Sequence, residues 1–144
     1  MTLIVNGLTA IIFILLIWIS YTDIRTRIIS NKAVIAIFVI SLLLGIFSHQ
    51  SINFLAALSF LLIGFILFHL NVMGAGDVKL ISVLSLCLTA EQIWPFLWLT
   101  AVLGGFLACI GLLFFRKSVR SSGVPYGPAI AGGFFFVLLT QLNQ

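Results

Sequence analysis

Apolar residues run in six blocks along the chain: Leu3 to Ser20, Ala33 to Phe47, Phe54 to Leu70, Val78 to Leu88, Ile93 to Phe115 and Gly127 to Leu139. Each is predominantly apolar, which suits a helix surrounded by hydrocarbon on most faces. The pattern predicts an all-α fold, a polytopic integral membrane bundle of six transmembrane helices. Only the first, third and fifth blocks approach the roughly 20 residues that a hydrocarbon core of about 30 Å prefers. The second, fourth and sixth are short, and borrowed flanking residues or local bilayer thinning would accommodate them. Around the fourth block, Glu91 and Pro95 leave a broken or re-entrant segment as an alternative.

Composition agrees with a lipid solvent. Of the 144 residues, 62% are apolar and 7% charged, against about 45–50% and about 25% in soluble domains. Three acidic and seven basic side chains are too few to coat a water-facing surface. The net charge of +4 does not point to nucleic acid, because the cations lie in short clusters between apolar blocks. Arg25, Arg27 and Lys32 follow the first block, Lys79 stands at the start of the fourth, at the connection from the third, and Arg116, Lys117 and Arg120 follow the fifth. In a six-span arrangement these connections share one side, and cytoplasmic loops collect Lys and Arg. Both termini are therefore expected to face outward, away from the cytoplasm. The first block has no basic segment before it and reads as a span rather than a cleaved signal. Residues 1–144 read as a single transmembrane domain. Cys87 and Cys109 lack metal-ligand spacing and read as small buried hydrophobes.

Carboxylates near hydrocarbon are costly, so the three in this chain are informative. Asp23 is expected just past the inner end of the first helix and Asp77 just before the fourth, at one depth although 54 positions apart. Glu91 falls on the opposite side. Two carboxylates at one depth can share a proton, because ionising both at short range is unfavourable. One then activates water against a peptide carbonyl and the other protonates the oxygen, with no metal or cofactor. The plainer alternative is that each Asp ends its helix and is solvated beside Arg or Lys. Gly74 and Gly76 flank Asp77 in Gly74-Ala-Gly-Asp-Val-Lys79 and would permit a tight backbone bend close to a substrate.

Together these segments resemble the prepilin peptidase family, membrane aspartic proteases with a GxGDxK motif around the second catalytic Asp. Gly74-Ala-Gly-Asp-Val-Lys79 fits that motif at every fixed position. Asp23-Ile-Arg-Thr-Arg-Ile-Ile-Ser-Asn31 resembles the family's first-Asp segment, with Ser30 where short members have Pro, and Pro125-Tyr-Gly-Pro128 resembles its PxGP. The resemblance implies that Asp23 and Asp77 are catalytic and cut a short basic leader, ending in Gly, from type IV pilin-like or pseudopilin precursors at the cytoplasmic face. It implies no cofactor, no nucleic acid and no methyltransferase domain, as in the short peptidase-only CpaA/TadV type serving tight-adherence (Flp) pili.

Gly74, Gly76, Lys79, Arg25, Arg27, Asn31, Tyr126, Gly127 and Pro128 are candidate substrate-binding or site-shaping residues. Each has a plainer role: Lys79, Arg25 and Arg27 as topology determinants, Asn31 as a helix cap, Tyr126 to Pro128 as a tight start to the sixth helix. His69 is expected at the inner end of the third helix as an interfacial histidine, and His49 has no functional part. The Gly104-Gly105 and Gly132-Gly133 pairs are expected to permit close helix packing. Two rivals stand beside this reading. Presenilin-like GxGD proteases pair the motif with YD, whereas Thr22 separates Tyr21 from Asp23 here. A non-enzymatic transporter or pilus-assembly subunit would more usually place its carboxylates near midplane.

Overall fold

In a computed structural model, residues 2–48, 52–114, 116 and 123–142 are described, without the side chains of 141 and 142. His49, Lys117 and Arg120 lie outside the described residues. The described chain is all-helical: α1 Thr2–Thr26, α2 Asn31–Phe47, α3 Phe54–His69, α4 Ala75–Leu84, α5 Ala90–Phe114 and α6 Gly127–Leu142, with a 3₁₀ turn at Ser85–Cys87.

α1 and α5, at 25 residues each, are long and apolar enough to cross a membrane, while α2, α3 and α6 are shorter apolar helices. α4 has ten residues, about 15 Å at 1.5 Å each. The fourth apolar block, Val78 to Leu88, is thus a short helix followed by a 3₁₀ turn, the broken form of the segment. Glu91 and Pro95 belong to α5, not to α4. That helix starts at a capping box in which Gln92 Oε1 accepts the Thr89 N–H at 2.8 Å.

The helices pack in the succession α5, α6, α1, α2, α4, α3, and α4 also touches α6. One buried cluster joins Ile12, Leu16 and Ile19 of α1 to Ile37 and Leu44 of α2, Leu80 and Leu84 of α4, Phe96 of α5, and Ile130 and Phe134 of α6. α3 and α5 stand at the ends of this succession and leave broad apolar faces uncovered. Only Gly64 of α3 is buried, and Cys109 of α5 is exposed, contrary to expectation, because α5 packs chiefly on α6. Cys87 is buried as expected. Gly104, Gly132 and Gly133 face closely packed neighbours, whereas Gly105 faces open space.

Candidate active site

Helix periodicity aims both aspartates inward. The buried residues of α1 are Ile12, Leu16, Ile19 and Asp23, a single stripe at spacings of three and four. On α4, Asp77 heads the stripe that continues through Leu80, Ile81 and Leu84. Both helices extend past their apolar runs, so each Asp lies within a helix, beyond Ser20 in one case and before Val78 in the other. Each is the polar end of a core stripe.

Asp23 and Asp77 line one cavity of about 360 Å³ at the end of the bundle where α1 and α3 finish and α4 and α6 start. Its other walls include Arg27 after α1, Phe68 and Asn71 at the end of α3, Met73 and Gly74 before α4, and Gly123, Val124 and Tyr126 before α6.

Two left-handed non-glycine residues shape these walls. Arg27 (φ 57°) ends α1, its N–H donating to Asp23 O at 2.9 Å, and its Nη1 donates to Gly123 O at 2.7 Å. Asn71 (φ 55°) ends α3 in a Schellman turn, with Asn71 N–H donating to Phe68 O and Val72 N–H to Leu67 O, each at 3.0 Å. Non-glycine residues in this region are strained by about 1–3 kcal/mol and persist where surrounding structure holds them.

The glycines of the GxGD segment act differently from expectation. Neither Gly74 nor Gly76 has a positive φ, and the left-handed residue of the turn is Asn71. What the glycines supply is room: a Cβ at Gly74 would stand 2.8 Å from Asp77 Oδ2, and one at Gly76 would stand 2.8 Å from Ile29 Cβ. Gly74 is the N-cap of α4 and Asp77 is three residues on, so the carboxylate reaches back to the Gly74 amide.

Asp23 Oδ2 accepts the Gly127 N–H at 2.8 Å. The Asp77 carboxyl is pushed up to about 7 by burial and by the charge of Asp23, against the opposing pull of the Gly74 amide. Burial raises the Asp23 carboxyl as well, against the opposing pull of the Gly127 amide and of Arg27. Among the described residues no cluster of three or more His, Cys, Asp or Glu side chains forms.

The remaining candidates separate. Arg27, Gly74 and Tyr126 line the cavity, and Gly127 touches Asp23. Lys79 does not: it lines apolar grooves beside α3, and its Nζ donates to Asn31 Oδ1 at 3.1 Å. Asn31 is the first residue of α2 rather than its cap, and it ties α2 to α4. Ser30 is the N-cap at φ −65°, the angle proline enforces, so its replacement of Pro leaves the backbone course intact. Arg25 lies over the Tyr21 ring at 5.3 Å, outside the cavity lining. Pro128 is the second residue of α6, where its missing N–H costs little. His69 packs against Phe65 and Phe68.

Phe68 and Met73 had no signal in the sequence. Asn71 did, as an Asn just beyond an apolar helix.

The sequence profile of the type IV leader peptidase family matches residues 10–109, which include both aspartates and the whole GxGD segment. The chain belongs to the type IV leader peptidase family. Family membership indicates a peptidase, and together with the two long apolar helices it points to a membrane protein. No curated protein and no solved structure matches the chain. The Pro125 to Pro128 segment lies beyond the matched residues, so its part in the site rests on geometry.

Proposed function

We propose that the chain is an aspartic endopeptidase that removes the short basic leader from type IV pilin-like precursors, of the Flp type, at the cytoplasmic face of the inner membrane. One observation carries this: Asp23 and Asp77, on separate helices and 54 positions apart, line a single cavity at one end of the bundle. In this reading the apolar runs of all six helices lie in the bilayer with both termini outside, Asp23 and Asp77 stand beyond those runs at the membrane edge, and the cationic connections mark that side as cytoplasmic. A precursor anchored by its own hydrophobic helix presents its leader junction at the depth of the cavity, which removes much of the entropic cost of encounter.

The ionised carboxylate takes a proton from water as the oxygen attacks the scissile carbonyl carbon, while the protonated partner gives its proton to the carbonyl oxygen. The resulting gem-diol collapses with cleavage of the C–N bond. The leaving nitrogen takes the proton acquired from water, and a gem-diol hydroxyl returns a proton to the other carboxylate. The pair ends as it began.

The test is co-expression with a Gly-leader prepilin and mass determination of the pilin N-terminus, for wild type, Asp23→Asn and Asp77→Asn at matched membrane levels. Wild type is expected to cut after the leader Gly and each variant to lose the cut. Near-normal cutting by either variant sinks the two-carboxylate mechanism.

A further inference from the structure

Gly127 is the first residue of α6, so its N–H has no acceptor within that helix. It donates instead to Asp23 Oδ2 at 2.8 Å, across 104 positions of sequence. A hydrogen bond from a backbone amide to a carboxylate strengthens with the negative charge it meets, and a helix N-terminus adds about half a positive charge. There is no space for a side chain at this position: a Cβ would lie 2.9 Å from Asp23 Oδ2 and 3.1 Å from Asp23 Cβ. The residue before Pro128 also holds a helical backbone, which side-chain-bearing residues resist in front of proline.

The titratable and charged groups in the cavity wall are Asp23 and Arg27 from the α1 side, Asp77 from α4, and Tyr126 before α6; α3 contributes Phe68 and Asn71, which do not titrate. Arg27 adjoins Asp23, one helical turn away. Among the described residues, the amide that meets the Asp77 carboxyl belongs to its own first turn, at Gly74. The two carboxylates are therefore unequally supported.

We propose that the Gly127 amide makes Asp23 the ionised member of the pair, so that Asp23 takes the proton from the attacking water and Asp77 delivers its proton to the substrate carbonyl oxygen. This rests on the peptidase reading above. Gly127 acts as a positioning residue and touches no substrate atom in this role.

The decisive variant is Gly127→Ala, whose methyl displaces the Asp23 carboxylate from the amide. Leader cleavage by the purified enzyme is followed across pH, with thermal unfolding alongside. The acidic limb of kcat/KM is expected to move up by about one unit or more as Asp23 holds its proton more tightly. A uniform loss at every pH, with no movement of the limb, overturns the proposal.

Should Gly127→Ala fail to fold, infrared spectroscopy in buffer well below neutrality decides. The protonated-carboxyl stretch is expected to vanish in Asp77→Asn and persist in Asp23→Asn, and the reverse pattern overturns the assignment. The two readings fail separately: cleavage surviving in either Asn variant sinks the two-carboxylate mechanism, whereas loss of cleavage in both with a reversed infrared pattern sinks only the assignment.

Discussion

The position of Asp77 depends on how closely α4 approaches α3, and at one point of that interface Gly64 of α3 meets Val78 of α4. A Cβ built at Gly64 would collide with both methyl groups of Val78, Cγ2 standing 2.9 Å away. Gly64→Ala then overpacks the interface at about 1–3 kcal/mol, against a helix-propensity gain of about 1 kcal/mol. Val78 is 5% exposed, so Val78→Ala alone removes two buried methyl groups at about 2 kcal/mol. In the double variant the new methyl occupies space the lost ones leave. Its destabilisation is expected to fall short of the sum of the singles by about 1–3 kcal/mol, a coupling characteristic of direct contact. Denaturant unfolding in detergent, read from Trp18, Trp94 and Trp98 fluorescence, measures the cycle, and leader cleavage measures its effect on the adjacent Asp77. Gly64→Ala should lower cleavage and the double variant should recover it. Additivity within about 0.5 kcal/mol, or no recovery of cleavage, would show that this contact does not set the placement of α4.

Four further outcomes follow from the same geometry. Asp77, raised to about 7 from an ordinary 3.8, keeps its proton in the folded protein while the unfolded chain has lost it, so stability falls as pH rises through that interval; thermal unfolding should find Asp77→Asn gaining on wild type from acid to neutral pH. Cleavage should decline above pH about 7 as Asp77 loses its proton. Asn71→Ala should destabilise by about 1 kcal/mol and Asn71→Gly should not, because the left-handed conformation penalises a side chain, as thermal unfolding would register. Lys79→Met should cost about 1 kcal/mol through its lost bond to Asn31 and leave the pH profile of cleavage in place, since Lys79 lies outside the cavity.

The helices were legible because apolar blocks are local signals. The block from Leu3 to Ser20 became the body of α1 and that from Ile93 the body of α5, whose earlier start at Ala90 follows from the Thr89-to-Gln92 bond that apolarity does not show. Helix limits near the site were less legible. α1 continues to Thr26 and α4 begins at Ala75 because hydrogen bonding carries a helix into polar sequence that apolarity alone cannot follow. The convergence of Asp23 and Asp77 on one cavity could be anticipated from depth and from motif resemblance. The partition of the supporting residues could not. Lys79 sits two positions from Asp77, and about 200° of helical rotation between them turns it to Asn31 and the α3 grooves instead. Phe68, Met73 and Gly123 enter the cavity wall only through the turns that precede α4 and α6, which no single-chain periodicity encodes.

The way each aspartate is held explains how a nearly uncharged bundle can keep two carboxylates close together. Placed nearer the middle of their stripes, beside Leu16 or Leu80, they would be enclosed by the apolar core and bear its full desolvation cost. Placed in a loop, they would be solvated and unremarkable in their titration. At the stripe ends, the helical phase that buries Ile12, Leu16 and Ile19 also fixes the direction of Asp23, and the phase of Leu80 and Leu84 fixes that of Asp77. The donors that meet them, Gly127 and Gly74, belong to the starts of α6 and α4, where N–H groups lack helical partners. The same rules that build the bundle therefore supply the polar half of the site. A one-residue shift of Asp23 would turn it by about 100° away from both the cavity and the Gly127 amide, so its place in the helical phase matters as much as its charge.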